Sequence, residues 1–509
     1  MDAAGDQLAV VEVDRRHWIG GERVGGGGPE LEVFSPIDGS SLGTVAAGGP
    51  EDVDAAVGAA RAAAPGWAGM GAERRGVILD RFADAILDHG EVLALVETLD
   101  NGSLLAGNRM RVVRRAAENI AFFADEAREL PLDPLPGPVV DNHVHYEAAG
   151  VAALVTPWNA PLMLSTWKLG QALAAGNTVV LKPPEWAPLT CSLLADLADG
   201  AGLPAGVLNV VQGTGEAAGH ALVGHPGIDR ISFTGSTATG RRVGAQAAAS
   251  IIPVSMELGG KSPFIVFGDA DLDDAAATVA QQFTNAGQVC LAGTRLLVDA
   301  RIADDFRDRV LAATAKAAVG DPRDRDTRVG PLIHPRQLAR VEGYVTRALD
   351  AGARPVVGCG PHERGGLYYR PTILDGVDPD AEIVQNEVFG PVLTWQTFVG
   401  ENEAVELADS TRYGLAAVVF TRDRDRAERV AGRITAGTVW VNCYFVRDVA
   451  APFGGSRASG IGREGGLWSF DFFCNVKNVA LRRGSFDSDT VPDPYLVVAG
   501  AGMGGQSRG

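Results

Sequence analysis

The feature that most constrains the fold of this chain is a repeated alternation of short apolar runs and helical segments, beginning near residue 150. The apolar runs have the length of strands and end in Gly, Pro or Thr, and helical segments such as STWKLGQALAAG lie between them. Parallel strands require crossover connections of this kind, so the pattern predicts an α/β fold built on a parallel sheet. The apolar runs are VAALVTP, NTVVLKP, VLNVVQG and RISFTG.

A second unit of the same kind begins after Lys261, and its alternation continues to about residue 470. It opens with the strand SPFIVFGD and a helix from Leu272, and then reaches Cys290 and the strand TRLLVDA. Short strands and turns occupy the first 45 residues, and helical periodicity follows from Glu51 to about residue 130. Because 509 residues are too many for one compact core, two or three domains are expected.

Charge and cysteine usage exclude several classes of partner. The formal net charge of −18 argues against a nucleic-acid surface and against binding to an anionic membrane. The start of the sequence has no signal-peptide pattern, and no apolar run approaches the roughly 18–20 residues that span a bilayer. The cysteines are odd in number and lack CxxC spacing, which favours a reducing, cytoplasmic location without disulfides or a zinc site. They are Cys191, Cys290, Cys359, Cys443 and Cys474.

Three residues could carry chemistry, although each alone also has an ordinary structural explanation. Cys290 lies in FTNAGQVCLAGTR, where glycines at 287 and 293 would let substrate approach the sulfur, but a lone cysteine is more often a buried core residue. Glu257, in MELGGKSP, could be a general base with a raised pKa, or a surface charge at a helix end. Asn159, in TPWNAPL, could donate to an oxyanion, or could simply form a turn.

Two glycine loops suggest phosphate binding only weakly. GTGEAA (213–218) fits a dinucleotide fingerprint, yet it would follow the third strand and lacks a ribose-binding acid about 20 residues later. GSTATG (235–240) lacks the Lys-Ser/Thr of a phosphate loop, although both loops are compatible with phosphate at a helix N-terminus. No HExxH motif and no G-x-S-x-G elbow occurs, so a zinc-protease or serine-hydrolase site has no support and no metal is expected.

Taken together, the segments over residues 15–483 resemble the aldehyde dehydrogenase superfamily. A set of seven motifs in the family order is far more specific than any one of them. The motifs are TPWN (156–159), LKPPE (181–185), FTGSTATG (233–240), MELGGKSP (256–263), GQVCLAGTR (287–295), NEVFGP (386–391) and PFGGSRASGIGREGG (452–466).

The resemblance implies a nucleophilic mechanism for the oxidation of an aldehyde to a carboxylic acid. By this resemblance Cys290 attacks the aldehyde as a thiolate, Asn159 and the Cys290 backbone N–H hold the oxyanion, and Glu257 activates the water that hydrolyses the thioester. NAD is the expected cofactor because Glu185 would bind both ribose hydroxyls and repel a 2′-phosphate. NADP stays possible, since Pro184 replaces the small residue usual there. The residues implied to bind the cofactor are Trp158, Lys182, Glu185, Gly215, Gly235, Ser236, Glu387 and Phe389.

The family fold implied by the resemblance has a Rossmann-like coenzyme domain, an α/β catalytic domain and a β-strand arm that joins subunits. The expected ranges are 1–129 and 149–257 for the NAD-binding domain, and 258–470 for the catalytic domain. The arm is expected at 130–148 and 471–485, with a disordered tail at 486–509. The superfamily forms dimers or tetramers through this arm, so a homodimer or homotetramer is expected.

Within the superfamily, the chain most resembles 2-hydroxymuconate and 5-carboxymethyl-2-hydroxymuconate semialdehyde dehydrogenases, through STWKLG, NCYFVRDVAAPFGG, GREGGLWSFDFF and NVKNV. These enzymes act on acidic semialdehydes from aromatic ring cleavage, so an arginine is expected to bind a substrate carboxylate. The candidates are Arg447, which the resemblance places at the mouth of the family's aldehyde tunnel, and Arg109 and Arg115 on an early helix. A broad-range aliphatic or aromatic aldehyde dehydrogenase is the alternative. A non-catalytic, crystallin-like relative is a third possibility, against which Cys290, Glu257 and Asn159 all speak.

Overall fold

The structure is a computed structural model that describes residues 13–25, 29–130, 133–137 and 140–483. The tail predicted to be disordered, 486–509, lies outside the described residues. In chain order the strands of the described part are β1 (His17–Ile19), β2 (Glu22–Val24), β3 (Glu30–Phe34), β4 (Ser41–Ala46), β5 (Leu135–Pro136), β6 (Val140–Ala148), β7 (Val151–Val155), β8 (Thr178–Lys182), β9 (Leu208–Val210), β10 (Arg230–Thr234), β11 (Val254–Glu257), β12 (Pro263–Val266), β13 (Arg295–Asp299), β14 (Arg354–Val357), β15 (Thr372–Asp375), β16 (Val392–Phe398), β17 (Ala416–Phe420), β18 (Thr438–Val441), β19 (Gly460–Ile461) and β20 (Cys474–Arg482).

The longer helices of the described part cover the sheets. They are α1 (Pro50–Gly69), α2 (Ala72–Asp88), α3 (Gly90–Asn101), α4 (Val113–Arg128), α5 (Pro161–Ala174), α6 (Leu189–Gly200), α7 (Thr237–Ala249), α8 (Leu272–Gln281), α9 (Ala303–Thr314), α10 (Pro335–Asp350), α11 (Gly400–Ala408), α12 (Arg424–Arg433) and α13 (Gly466–Phe473). Short helical turns lie at Leu105–Gly107, Asn108–Val112, Gly215–Gly219, His220–Val223, Thr284–Gly287, Ala300–Ile302, Glu382–Gln385 and Arg457–Ser459.

The first sheet has the strand order β19-β11-β10-β7-β8-β9-β1-β2. Its five central strands, β7 to β11, run parallel, whereas β1, β2 and β19 add antiparallel edges. The chain moves outward from β7 to β8 and β9 and then returns to β10 and β11 on the other side of β7. The strand order therefore reverses between β7 and β10, and the crevice at the carboxyl ends of such strands is where ligands bind in sheets of this kind.

The second sheet has the order β14-β15-β16-β13-β12-β17-β18, and among its described strands only β14 is antiparallel to its neighbour. Its central strands are buried along their whole length, as expected when helices cover both faces of a parallel sheet. The α/β architecture predicted from the alternation is confirmed.

A third, three-stranded sheet stands apart, with the order β20-β6-β5. Strand β20 pairs antiparallel with β6 along nine residues, from Cys474 opposite Ala148 to Arg482 opposite Val140. These strands fall in the two stretches predicted to form the arm. His143 and His145 lie two apart on β6 and therefore share one face of this sheet.

One predicted boundary differs from the structure. Residues 460–470 were expected in the catalytic domain, but β19 pairs with β11 of the first sheet. The helix that follows, α13, contributes Phe470 and Phe473 to the same apolar core as α5 and β7. The chain returns to the first unit here because Glu464 is buried beside Lys168 of α5. The local strand and helix pattern contains no signal of such a distant partner.

Neither a membrane-spanning helix nor a metal-binding cluster is present among the described residues. None of the helices there is both long and apolar enough to cross a membrane. No group of three or more His, Cys, Asp or Glu side chains in that part of the chain could hold a metal ion.

Candidate functional site

A cavity of about 300 Å³ opens at the carboxyl ends of β7, β10 and β11, where the first unit faces the second. This is the place that the reversal of strand order indicated. Distant segments of the sequence meet in its wall, and most of the residues singled out from the sequence line it. They are Trp158, Asn159, Gly235, Ser236, Glu257, Cys290, Glu387, Phe389 and Arg447.

Cys290 reaches the cavity on a tight loop that precedes β13. Asn285 and Ala286 adopt positive φ angles of 55° and 52°, and Gly287 follows at 67°. A Cβ atom on Gly287 would lie 2.1 Å from the Gly390 carbonyl oxygen, so this close approach requires glycine. The loop thus presents the thiol to the cavity from the second unit.

The surroundings of Cys290 differ from the expected thiolate. Burial, together with the carboxylates of Glu387 and Glu257, raises the pKa of Cys290 to about 12, while Arg447 acts in the opposite direction. These surroundings favour the neutral thiol, so attack by the sulfur requires a base that takes its proton.

Glu257 ends β11 and is buried, and neither of its carboxylate oxygens has a hydrogen-bond partner among the described residues. Burial and the nearby carboxylate of Glu464 raise the pKa of Glu257 to about 8, although the positive charges of Lys168 and Arg447 act to lower it. A carboxylate with a pKa near neutrality and open oxygens has the properties of a general base. A Cβ atom on Gly454 would lie 2.8 Å from Oε1, so glycine there leaves room for this side chain.

Asn159 joins the two units at the site. The side-chain Nδ2 of Asn159 donates to the backbone oxygen of Gln288 at 2.9 Å, and the backbone oxygen of Asn159 accepts from Asn285 Nδ2 at 2.9 Å. Because the amide nitrogen carries two hydrogens, the bond to Gln288 leaves the second one available for a ligand. The loop after β7 is therefore hydrogen-bonded directly to the loop that carries Cys290.

A buried ion pair beside Glu257 was not predicted from the sequence. Lys168 Nζ lies 3.0 Å from Glu464 Oε1, and both side chains are fully buried. Trp167 Nε1 donates to the other Glu464 oxygen at 2.5 Å. The hydroxyls of Ser232 and Ser255 both donate to Glu464 Oε1. Burial acts to raise the pKa of Glu464, but the Lys168 ammonium holds it below its ordinary value. Lys168 is one of only five lysines in the sequence, and this scarcity is the one sequence feature that could have drawn attention to the pair.

A second group of predicted residues lies next to the cavity. Lys182, at the end of β8, places Nζ 3.3 Å from Glu185 Oε2, and the Gly215 N–H donates to the same oxygen at 2.9 Å. Burial lowers the pKa of Lys182, and the Glu185 carboxylate opposes this shift. The structure thus brings these three together but does not place them in the wall of the main cavity.

The remaining predicted cofactor residues lie in the cavity wall. Ser236 precedes α7, and its hydroxyl accepts from the Thr239 N–H, so a helix N-terminus faces the cavity. Glu387 Oε1 accepts from the Gly260 N–H at 2.9 Å, and burial raises the pKa of Glu387 to about 7. Phe389 has a φ of 60°, and its ring centroid lies 5.2 Å from that of Trp158.

The three predicted substrate arginines have different surroundings. Arg447 lines the cavity with its guanidinium 5.0 Å from the Trp167 ring centroid and 3.7 Å from that of Phe453. One of its terminal nitrogens is buried and has no hydrogen-bond partner within the described part of the chain. Burial and the neighbouring Arg115 lower the pKa of Arg447 to about 10.

Arg115 does not line the cavity, because its guanidinium donates to the Arg447 backbone oxygen at 3.3 Å and so supports that loop. The prediction that Arg109 contacts substrate is not supported by its position. Its Nε lies 2.7 Å from Glu91 Oε2, and its side chain is 43% exposed, outside the cavity wall. The surface acid on α3 binds this guanidinium, which therefore does not turn toward the site.

Comparisons with known proteins agree with this arrangement. The chain matches the model of the aldehyde dehydrogenase family over residues 24–479. It is 42% identical over 483 residues to the 2-hydroxymuconic semialdehyde dehydrogenase of Pseudomonas sp. strain CF600, covering 92% of this chain and 99% of that protein. It is 40% identical over 457 residues to the NADP(+) succinate-semialdehyde dehydrogenase GabD of Escherichia coli strain K12, covering 89% and 95%. A crystal structure of indole-3-acetaldehyde dehydrogenase with NAD+ superposes with a TM-score of 0.92 at 39% identity, covering 94% and 99%.

Proposed function

The chain belongs to the aldehyde dehydrogenase family, and on that premise we propose that it oxidises an acidic semialdehyde to a carboxylic acid through Cys290, with NAD as the electron acceptor. The observation that carries this proposal is the meeting of Cys290, Glu257 and Asn159 in one cavity that Arg447 also lines. The test is NADH formation by the purified protein with a panel of aldehydes, in which carboxylated and neutral compounds are matched for size.

We propose that Glu257 first takes the proton of Cys290. Burial makes the Glu257 carboxylate unusually basic, and its oxygens have no competing partner among the described residues. The sulfur then bonds to the aldehyde carbon, and the carbonyl electrons move to the oxygen. We assign the stabilisation of that oxyanion to the second hydrogen of the Asn159 amide and to the Cys290 backbone N–H.

After the thioester has formed on Cys290, the Glu257 carboxylate acts as a base a second time. Glu257, after losing the first proton, takes a proton from water as the water oxygen bonds to the thioester carbon. The carbon–sulfur bond then breaks, and the sulfur leaves with its electron pair, to be reprotonated. NAD, when bound, supplies the two-electron acceptor that turns the first adduct into this thioester.

The residues around the cavity fit a dinucleotide. Glu185 and Glu387 offer carboxylates that can accept bonds from ribose hydroxyls, and the N-terminus of α7 behind Ser236 suits a pyrophosphate. The relative crystallised with NAD+ supports NAD as the cofactor of this chain. The relative named for NADP(+) is the reason to compare NADP with it. We propose NAD as the preferred form, because a carboxylate at Glu185 would repel a 2′-phosphate.

Replacement of Glu185 by glutamine is expected to shift the ratio of kcat/KM for NADP to that for NAD by roughly 10- to 100-fold toward NADP. The physical reason is the loss of one negative charge beside the ribose hydroxyl that carries the phosphate in NADP. Initial rates with each cofactor measure the ratio. Glu216→Gln removes an exposed carboxylate one residue beyond Gly215 and is the matched control. An unchanged ratio in Glu185→Gln would show that the selectivity lies elsewhere.

Arg447 is proposed to bind the carboxylate of the substrate. It is a cavity-lining cation that lies against two aromatic rings, and one of its buried nitrogens has no hydrogen-bond partner among the residues that the structure describes. A buried donor of this kind gains most from a charged acceptor. The semialdehyde dehydrogenases among the relatives have names that agree with such a substrate.

Replacement of Arg447 by methionine is therefore expected to lower kcat/KM for a carboxylated semialdehyde about 100-fold, because a buried charged contact is lost. For a neutral aldehyde of similar size the loss is expected to be much smaller, since that substrate has no carboxylate contact to lose and only the packing and the charge that Arg447 places near Cys290 and Glu257 are altered. Steady-state kinetics with succinate semialdehyde and butyraldehyde measure both effects. Arg109→Met removes an exposed arginine outside the cavity and should change neither value. Equal losses on both aldehydes would contradict the role of Arg447 and favour a broad-range enzyme.

We further propose that the three-stranded sheet joins subunits into a homodimer or homotetramer. Its strands expose large apolar side chains in the single chain, namely Leu135, Val476 and Leu481 at 60%, 51% and 52%. Large apolar side chains left exposed on a sheet are typical of a surface that another subunit covers.

A further inference from the structure

Two buried acids lie on α3, outside the cavity and outside every motif that the sequence singled out. Glu97 and Asp100 are 1% and 0% exposed, and neither lines the cavity. Residues three apart on a helix share one face, so both carboxylates leave α3 on the same side. A buried carboxylate is costly unless it is well hydrogen-bonded, so the partners of these two acids indicate what they do.

Glu97 caps the start of α5. The Leu162 N–H lies 3.3 and 3.4 Å from its two carboxylate oxygens, and the Thr190 hydroxyl donates to Oε2 at 2.7 Å. The first N–H groups of a helix have no partner within the helix. Since Ala160 provides no side-chain cap and Pro161 has no N–H, the acceptor for Leu162 comes from α3.

Asp100 does the same for α6. Its Oδ2 accepts from the Leu189 N–H, the first of that helix, at 2.7 Å. The residue before Leu189 is Pro188, which likewise provides no side-chain cap. Two neighbouring acids on one helix therefore satisfy the N-termini of two other helices.

The residues just before these two helix starts belong to the site. The loop from β7 to α5 carries Asn159, and the loop from β8 to α6 carries Glu185. The Ser165 hydroxyl further ties the two helices together, with 3.2 Å to Thr156 Oγ1 and 3.2 Å to Cys191 Sγ. A shift of α3 would therefore move the starts of α5 and α6, and with them the loops that carry Asn159 and Glu185.

A local Ser, Thr, Asn or Asp at each helix start would cap it without burying a carboxylate. The chain instead uses acids that lie 65 and 89 residues earlier in the sequence. A distant cap fixes the helix start relative to another part of the fold, which a local cap does not. That difference matters at a reaction centre, where a displacement of about 1 Å can lower the rate about 100-fold.

We infer that Glu97 and Asp100 are positioning residues, the first holding Asn159 in place through the start of α5 and the second holding Glu185 through the start of α6. The inference rests on the functions proposed above for Asn159 and Glu185. It predicts that the two acids affect different steps. Glu97 governs the rate with bound substrate, and Asp100 governs cofactor binding.

The test compares Glu97→Gln with Asp100→Asn, which keep the side-chain shape and replace one of the two acceptor oxygens by an NH2 donor. Glu97→Gln is expected to lower kcat about 10- to 100-fold and to leave the Kd of NAD within about twofold. Asp100→Asn is expected to raise the Kd of NAD about tenfold and to leave kcat at saturating NAD within about threefold. The Kd comes from quenching of tryptophan fluorescence, since Trp158 and Trp186 line the cavity, and kcat comes from oxidation of succinate semialdehyde.

Glu91→Gln is the matched control, because Glu91 is an exposed acid on the same helix whose carboxylate pairs with the surface side chain of Arg109. It should change neither value. A merely structural function would appear as less active protein in both variants, with kcat per titrated active site and the Kd of NAD unchanged. That result would overturn the inference.

If either variant fails to fold, milder ones replace it. Thr190→Val removes the hydroxyl bond to Glu97 and keeps the carboxylate, and it should lower kcat about three- to tenfold. Asp100→Glu shifts the carboxylate by one methylene and should still raise the Kd of NAD. No change in these two would also overturn the inference. The proposed function fails separately if the wild-type protein forms no NADH from any aldehyde, and the NAD dissociation constants still decide the Asp100 part.

Discussion

Replacement of Cys290 by alanine is expected to lower kcat for aldehyde oxidation by at least about 1,000-fold, because the reaction loses its covalent route. The Kd of NAD should stay within about twofold, since the thiol is not part of the proposed ribose or pyrophosphate contacts. NADH absorbance measures the first quantity, and tryptophan fluorescence quenching measures the second.

Cys359→Ala is the control for the loss of a thiol. Cys359 is half-buried and lines a separate cavity with Tyr369. Its replacement should leave kcat unchanged. A Cys290→Ala enzyme with more than about a tenth of the wild-type rate would rule out Cys290 as the nucleophile.

Replacement of Glu257 by glutamine is expected to lower kcat about 100- to 10,000-fold, the usual contribution of a general base. The amide keeps the shape of the carboxylate and cannot take a proton from the Cys290 thiol or from water. Burial and Glu464 raise the pKa of Glu257 to about 8. A base acts only when deprotonated, so the wild-type rate should be full above about pH 8 and fall about tenfold per pH unit below it.

The pH profile separates this function from a structural one. The limb near pH 8 should disappear in Glu257→Gln and persist in Glu126→Gln, a half-buried glutamate of α4 outside the cavity. A limb that survives in Glu257→Gln would assign the titration to another group, and the proposed base would then be wrong.

The fold could be predicted from the sequence because its signals are local. Apolar runs such as that of β7 and the helices between them define parallel strands without any knowledge of partners. The end of the second unit could not be located in this way. The chain leaves that unit where Glu464 binds Lys168, 296 residues away, and no local pattern records such a contact.

The candidate site shows the same division. Asn159, Glu257 and Cys290 could be singled out because each lies in a contiguous glycine- or proline-marked motif. Glu97 could not, because a lone acid in a helical pattern is typical of a solvated face, and its partners are far away in sequence. The raised pKa of Cys290 could not be predicted for a related reason, since the acids that raise it come from other segments.

The hydrogen bonds between Asn159 and the Cys290 loop have one more consequence. The proposed oxyanion donor belongs to the first unit and the proposed nucleophile to the second, and each loop binds the other directly. Neither unit alone contains both of these side chains, however well folded its own core is. Under the proposed mechanism, aldehyde oxidation therefore depends on the docking of the two units as well as on the folding of each.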